Sequence, residues 1–194
     1  MILIGLTGNI ACGKSLVSSM LKNLGAEVID ADRIVHELMV PEAEVWRRIV
    51  GEFGTEMLTP DGQIDRRKLG DVVFANPEDM LRLERIIHPA VFLRLDEEIA
   101  KSNAQVVVIE AIKLIEGGIA ERCDSVWVVT CPYDQQVTRL VKGRRLTERE
   151  ARVRIEAQAP PEEKLRHADV VIDNSGTPED TWKQVQESWQ RLVD

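Results

Sequence analysis

Five short apolar runs rich in β-branched residues recur along the chain, and stretches with helical spacing separate them. The runs cover residues 2–6, 27–29, 106–109, 126–129 and 170–172. Continuous apolar runs of this length are typical of strands that are buried on both faces of a sheet. Their alternation with helices predicts a parallel sheet covered by helices on both sides. The expected fold class is α/β.

Two stretches interrupt this alternation. Residues 41–103 contain no convincing strand, only helical segments broken by TPDGQ and NPED, so we predict a helical insertion there. The second stretch is 143–161, in which Thr147 and Glu150 have the spacing of a capping box for a short helix. The rest of the chain, 1–40, 104–142 and 162–194, is expected to form the core.

The last helix has a clear predicted start and a clear buried face. Thr177 is expected to be its N-cap, and Pro178 follows in the first turn. One face of this helix carries Trp182, Val185, Trp189 and Leu192. We interpret these side chains as core packing and not as a platform for stacking bases.

Composition and charge exclude several classes of protein. The 194 residues are enough for one domain, and the net charge of −8 argues against nucleic-acid binding through overall charge. No apolar run reaches the ~20 residues that a membrane span needs, and the N-terminus lacks the features of a signal peptide. The three cysteines have no CxxC spacing, so neither a disulfide framework nor a zinc site is expected. We expect a soluble cytoplasmic protein with no nucleic-acid, membrane or obligate protein partner.

The sequence GNIACGKS, residues 8–15, has the G-x-x-x-x-G-K-[ST] pattern of a phosphate-binding loop. It follows an apolar strand and opens a helix, which is the context in which this pattern binds phosphate. The amides of residues 10–15 are expected to point at the β-phosphate, Lys14 to reach the β- and γ-phosphates, and Ser15 to bind Mg²⁺. The predicted nucleotide-binding residues here are Gly8, Asn9, Ile10, Ala11, Cys12, Gly13, Lys14, Ser15 and Leu16.

Three carboxylates follow predicted strands, at the sheet edge where open α/β sheets bind ligands. Asp30 and Asp32 follow the second strand, and Glu110 ends the third. If the chain is extended at the two aspartates, one can face the reaction while the other holds structure, and either alone can be a helix N-cap. Glu110 is well placed to reach Mg²⁺ through water.

Several motifs together give the chain a specific resemblance. In order they are LTGNIACGKS, VIDAD, DGQIDRRKL with VFANPE, IIHPAV, RIEAQ and ADVVIDNSG. The whole chain resembles the dephospho-coenzyme A kinase family in the order and spacing of these pieces. The resemblance implies a P-loop kinase fold with a five-stranded parallel sheet, a helical insertion that binds the acceptor, and a small lid, which matches the two interruptions. It also implies transfer of the ATP γ-phosphoryl group to the 3′-hydroxyl of dephospho-coenzyme A.

The resemblance also implies roles for individual residues. Asp32 stands where the family has the base toward the acceptor hydroxyl. DNSG, residues 173–176, stands where the family surrounds the adenine of ATP, which implicates Asn174 and Gly176. His88 lies near where the family holds its acceptor. Lys113 stands where the family usually has a leucine, and this lysine is expected to contact an acceptor phosphate or to extend along the surface from a helix start.

The segment from residue 137 to 154 is strongly basic. Its seven cations against two glutamates give a local excess of +5 in a protein of charge −8. This charge suits a lid that closes over a triphosphate, although a solvated helix face is the alternative. The family commonly has an arginine at the position of Gly143, and Arg144 or Arg145 is expected to supply that charge. Arg139 is expected to bind the nucleotide.

Two other functions stay open on the sequence alone. The chain could phosphorylate a different small acceptor on the same fold, such as a nucleoside monophosphate or a metabolite alcohol. It could also be a regulatory module that binds nucleotide without turnover. The absence of NKxD and of an early DxxG motif speaks against a GTP-dependent switch.

Overall fold

A five-stranded sheet forms the centre of the computed structural model, which describes residues 1–193. The strand order is β2-β3-β1-β4-β5, and the pairings of β1 with β3, β1 with β4 and β4 with β5 are parallel. All five strands predicted from apolar runs are present, so the predicted α/β fold is confirmed. The strands are β1 (Ile2–Thr7), β2 (Glu27–Asp30), β3 (Val106–Glu110), β4 (Ser125–Thr130) and β5 (Val170–Asp173).

The chain divides into two compact units. The core unit comprises residues 1–29 and the chain from Ser102 onward, and the insertion unit comprises residues 30–101. The insertion unit therefore starts before the predicted boundary at residue 41, because Val35 and Leu38 of the helix α2 (Ala31–Leu38) pack on the same apolar cluster as the later helices. The predicted division into core, insertion and lid at 41, 103 and 143 stays a prediction.

Five α-helices pack in the part of the core unit that the structure describes. The sheet and helices enclose a cluster in which Ile4, Leu6, Leu21 and Trp127 are completely buried. The last helix begins as predicted, because the Thr177 hydroxyl accepts a hydrogen bond from the Asp180 amide, and its Trp182, Val185, Trp189 and Leu192 pack on this cluster. The helices are α1 (Lys14–Asn23), α6 (Tyr133–Arg144), α7 (Glu148–Glu156), α8 (Pro161–Leu165) and α9 (Pro178–Val193).

The insertion unit is helical, with its own apolar cluster around Ile49, Leu69 and Ile86. Its only β-pairing among the described residues is an isolated antiparallel bridge between Leu58 and Ile64. The helices are α2 (Ala31–Leu38), α3 (Glu44–Phe53), α4 (Arg66–Ala75) and α5 (Pro77–Lys101). None of the helices described here or in the core unit is long and apolar enough to cross a membrane.

Candidate active site

The phosphate loop, residues 8–15, joins β1 to α1, and its conformation depends on two glycines. A Cβ atom on Gly8 would lie 2.4 Å from the Val129 carbonyl oxygen, and one on Gly13 would lie 2.0 Å from Asn174 Nδ2. Gly13 has φ 100° and Ala11 has φ 61°, so the backbone turns through left-handed conformations twice within the loop. The loop is therefore a backbone concavity that larger residues at positions 8 and 13 would destroy.

Four amides of the phosphate loop are open to a ligand. The backbone N–H groups of Ala11, Gly13, Lys14 and Ser15 find no acceptor among residues 1–193. They lie at the N-terminus of α1, where the helix dipole favours an anion. The Ile10 amide differs from the prediction, because it donates to Gln158 Oε1 at 2.6 Å. The Cys12 amide likewise donates to the Asn9 carbonyl at 3.2 Å.

Arg139 and Asn174 hold the phosphate loop through its carbonyl oxygens. The Arg139 guanidinium donates to the Ala11 and Cys12 carbonyls, each at 3.2 Å, and to the Asn174 carbonyl at 2.7 Å. Asn174 Nδ2 donates to the Cys12 carbonyl at 2.7 Å, and its Oδ1 accepts from the Thr181 hydroxyl at 2.9 Å. Both side chains thus shape the loop, while their direct contact with nucleotide stays a prediction. Gly176 lies in the exposed turn between Asn174 and α9.

Lys14 and Glu110 lie close together beside the start of α1. Lys14 Nζ is 4.0 Å from Glu110 Oε1, and the two side chains are only 11% and 17% exposed. The Ser18 hydroxyl donates to Glu110 Oε2. The Ser15 side chain is exposed and has no hydrogen-bond partner in the described part of the chain. The structure therefore brings the predicted lysine and carboxylate together, and Ser15 follows Lys14 in the first turn of α1.

Two residues that sequence reasoning missed connect the segment after α7 to the rest of the core unit. Besides the Gln158–Ile10 bond, Asn9 Nδ2 donates to the Ala159 carbonyl at 3.0 Å. Gln158 is the last residue of the RIEAQ motif, so the sequence pointed to this segment. It did not show that Gln158 bonds the Ile10 amide. The contacts fix the end of α7 against the phosphate loop.

Lys164 is the second missed residue. Its side chain is only 4% exposed, and Nζ lies 2.8 Å from Glu116 Oε1 and 2.8 Å from the Ile112 carbonyl. That carbonyl also accepts from the Thr7 hydroxyl at 3.1 Å. A buried ammonium needs such partners, since burial disfavours the charged form. Lys164 thereby fixes the turn after β3, on which Lys113 is exposed.

The basic segment around α6 and α7 contains the predicted capping box. The Glu150 amide donates to the Thr147 hydroxyl at 3.3 Å, and Glu150 Oε2 accepts from the Thr147 amide at 2.8 Å. Arg144 and Arg145 are both exposed, and neither makes a hydrogen bond or ion pair with residues 1–193. Arg152, in contrast, is paired with Glu148 at 2.7 Å.

Asp30 and Asp32 of the insertion unit occupy different positions at the start of α2. Asp30 Oδ1 accepts from the Arg33 amide at 2.9 Å, so Asp30 is the N-cap of α2. Asp32 lies half-buried in the first helical turn. The chain is thus helical and not extended at Asp32, so the expected alternation of the two side chains does not apply. Asp30 has the structural role because it caps the helix.

The insertion unit also contains a cavity of about 630 Å³, which sequence reasoning did not find. Arg66 Nη1 lies 2.7 Å from His36 Nε2. No carboxylate of the described residues pairs with the Arg66 guanidinium, and desolvation lowers its pKa. His88 is elsewhere on α5, with its ring 5.9 Å from that of Phe92. The cavity is lined by His36, Glu37, Met39, Val40, Thr59, Gln63, Ile64, Asp65 and Arg66.

Two thiols lie close together, Cys12 in the phosphate loop and Cys131 after β4. Cys12 is 3% exposed, and Cys131 Sγ donates to the Ala11 carbonyl at 3.8 Å. Interaction with Cys131, helped by Lys14 and Arg139, lowers the pKa of Cys12 to about 7 in spite of its burial. The same interaction raises the pKa of Cys131.

Comparison with known proteins is in agreement with this geometry. The sequence model of the family described as CoaE, Dephospho-CoA kinase, matches residues 2–180. The dephospho-CoA kinase of Geobacter metallireducens is 44% identical over 198 residues, which cover 100% of this chain and 98% of the relative. That of Geobacter sulfurreducens is 46% identical over 193 residues, with 97% and 98% covered.

Solved structures are also similar to this chain over nearly its whole length. A crystal structure from Thermus thermophilus has a TM-score of 0.84 at 31% identity and covers 100% of this chain and 98% of its own. The dephospho-CoA kinase of Campylobacter jejuni has a TM-score of 0.66 at 29% identity, with 98% and 96% covered. Shikimate kinase from Bacteroides thetaiotaomicron, at 15% identity and a TM-score of 0.55, shares the fold alone. On the strength of the matched residues 2–180 and the full-length relatives, the chain belongs to the dephospho-CoA kinase family.

Proposed function

We propose that this protein transfers the γ-phosphoryl group of ATP to the ribose 3′-hydroxyl of dephospho-coenzyme A, which completes coenzyme A. The main support for this proposal is the phosphate loop, whose four unpaired amides and Lys14 can bind a polyphosphate. The family match over residues 2–180 is the second support. The γ-phosphoryl group carries charge on its equatorial oxygens during transfer, so a positioned cation and amide dipoles lower the barrier.

Two core-unit residues fit a magnesium ion that accompanies ATP. The Ser15 hydroxyl and the Glu110 carboxylate are hard oxygen donors, and Mg²⁺ commonly takes one or two protein ligands while phosphates and waters complete its shell. Such an ion would neutralise charge that develops on the phosphates. Ser18 would orient Glu110 through their hydrogen bond.

Asp32 is proposed to orient the acceptor hydroxyl and to take its proton. In a loose phosphoryl-transfer transition state the proton leaves late, so a carboxylate is basic enough and its main contribution is alignment. Asp30 is the N-cap of α2, whereas Asp32 lies half-buried in the first turn of that helix, at the position where the family has its base. Lys113 and His88 are proposed as further contacts with the acceptor.

We also propose that the cavity of the insertion unit holds part of dephospho-coenzyme A. Its volume of about 630 Å³ is in the range of small-molecule sites. Arg66 enters it without a carboxylate partner, and a guanidinium can bind phosphate oxygens through two parallel hydrogen bonds. Met39, Val40 and Ile64 supply apolar surface beside it. This combination suits a ligand that carries both a diphosphate and apolar groups.

Arg66→Met is expected to raise the KM for dephospho-coenzyme A by about tenfold or more, because one charge-assisted hydrogen bond contributes roughly 1.5–3 kcal/mol. The KM for ATP should change less than twofold. Arg67→Met is the matched control, since Arg67 is the exposed neighbour that does not line the cavity. Steady-state kinetics with each substrate varied in turn would check this. Equal effects of the two substitutions on the acceptor KM would contradict the assignment.

Replacing Arg144 and Arg145 together by alanine is expected to lower kcat by at least ~10²-fold while dephospho-coenzyme A binding changes little. Both guanidiniums are exposed and unpaired with the described residues, so they are available to a closing lid. Lys142→Ala, an exposed cation of the same helix, is the control. Single substitutions would identify which arginine acts. A double variant that loses acceptor affinity with unchanged ATP kinetics would place the segment in the acceptor site.

An ADP-release assay with several acceptors tests the function as a whole. Dephospho-coenzyme A is expected to support many turnovers, whereas shikimate and AMP are expected to give only the background rate. Turnover with another acceptor would show a different kinase on this fold, and release of one ADP per protein would show a nucleotide-dependent module. The cytoplasm is the proposed compartment, in keeping with three cysteines that are all free thiols in the structure.

A further inference from the structure

Two buried amide side chains, one in the phosphate loop and one in α6, each have an acceptor without a partner in the described part of the chain. Asn9 is 5% exposed and Gln136 is 3% exposed, and neither Asn9 Oδ1 nor Gln136 Oε1 accepts a hydrogen bond from residues 1–193. The nitrogen ends are engaged, since Asn9 Nδ2 donates to Ala159 and Gln136 Nε2 donates to the Cys131 carbonyl at 3.3 Å. Exchange of oxygen and nitrogen in either amide would lose that bond. The orphaned atoms are therefore both acceptors.

The two amides line the same small cavity. It has a volume of about 10 Å³ and lies among the phosphate loop, the end of β4 and α6. That volume is close to the ~10–15 Å³ that a single water molecule requires. An unsatisfied buried acceptor costs about 1–3 kcal/mol, so two of them around one cavity strongly favour an occupant that donates hydrogen bonds.

The chemistry of the lining limits what this occupant can be. Two carbonyl-type oxygens need donors, which excludes an anion. A metal cation is disfavoured because Lys164 also lines the cavity, and because a hard cation would need about six oxygen ligands. A water molecule has two O–H groups and fits the volume. It can satisfy both amides at once.

We propose that one internal water bridges Asn9 Oδ1 and Gln136 Oε1 and thereby ties the phosphate loop to α6. The bridge fixes the orientation of the Asn9 side chain, whose Nδ2 contacts Ala159 beyond α7. It adds to the direct bonds by which Arg139 of the same helix holds the loop carbonyls. The phosphate loop is thus supported from α6 by one guanidinium and one water molecule.

A crystal structure of the wild-type protein at high resolution would test the bridge directly. We expect a full-occupancy water peak within hydrogen-bond distance, ~2.6–3.2 Å, of both oxygens. A second crystal grown with thallium ions should show no anomalous signal at this position. An empty cavity, amides that adopt the opposite orientation, or a thallium peak would each overturn the proposal.

A double-mutant cycle provides an independent test in solution. Asn9→Leu and Gln136→Met, which keep approximate size, are each expected to lower the folding equilibrium constant about tenfold. If a water joins the two oxygens, the two substitutions should not act independently. The fold-loss in the folding equilibrium constant of the double variant should then be at least about fivefold smaller than the product of the two single fold-losses. Gln184→Met is the control, because Gln184 bonds the Asp173 backbone, away from the phosphate loop, and does not line the cavity. Its cycle with Asn9→Leu should be multiplicative, and a multiplicative cycle with Gln136→Met would overturn the bridge.

Discussion

Asp32→Asn is expected to slow phosphoryl transfer by ~10²–10⁴-fold while both substrates still bind, as is typical when acid–base assistance is lost. The substitution removes a charge and an acceptor atom with almost no change in volume. An amide cannot take the proton of the acceptor hydroxyl, although it can still lie beside it. Single-turnover kinetics combined with equilibrium binding of ATP and dephospho-coenzyme A would separate the two effects.

Asp30→Asn is the matched control for this prediction. Asp30 caps α2 by accepting from the Arg33 amide, and asparagine caps a helix about as well as aspartate. Its rate should therefore stay within about threefold of the wild-type rate, a difference worth less than ~0.7 kcal/mol in the barrier. The opposite pattern, with turnover preserved in Asp32→Asn and abolished in Asp30→Asn, would reverse the roles of the two carboxylates. Loss of acceptor binding in Asp32→Asn would make Asp32 a binding group.

Lys14→Ala is expected to keep the fold and to lose at least about a hundredfold in kcat, or ~2.7 kcal/mol of transition-state stabilisation. The ammonium lies at the start of α1, beside four open amides, and its nearest carboxylate, Glu110, is 4.0 Å away. A charge in that position stabilises the transferring phosphoryl group more than the bound ground state. Steady-state kinetics and a thermal melt would check rate and fold together.

Lys22→Ala provides the comparison, since Lys22 is an exposed cation in the last turn of the same helix. It should leave kcat unchanged. A folded Lys14→Ala protein with near-normal turnover would remove Lys14 from the chemistry and leave the loop as a binding element alone.

The parts of the fold with a local signature could be predicted from the sequence. The central strands β1, β3 and β4 are largely buried apolar runs, whereas the expectation of burial on both faces is wrong for the edge strands β2 and β5, which are partly exposed. The helix starts at Thr147 and Thr177 depend on residues three positions apart. The phosphate loop is equally local, because its glycines, lysine and serine lie within eight residues. Such features depend on neighbours in the chain, so their patterns survive without knowledge of the rest of the fold.

The contacts that support the site could not be predicted in this way. Gln158 bonds Ile10 across 148 residues, and Lys164 reaches Ile112 across 52. A side chain that bonds a distant backbone group leaves no periodic pattern. The same holds for the assignment of α2 to the insertion unit, which depends on packing of Val35 and Leu38, and for the left-handed backbone at Ala11. Sequence therefore predicts the strands and the short local motifs better than the long-range contacts that support them.

The position of the transferred phosphate tests the central claim most directly. The protein would be incubated with ATP and dephospho-coenzyme A, and the product examined by phosphorus NMR and mass spectrometry. We predict one added phosphate on the ribose 3′-oxygen, a product identical to coenzyme A, and no product from the 3′-deoxy analogue of the acceptor. Phosphorylation at any other position, or turnover of the 3′-deoxy analogue, would contradict the proposed reaction.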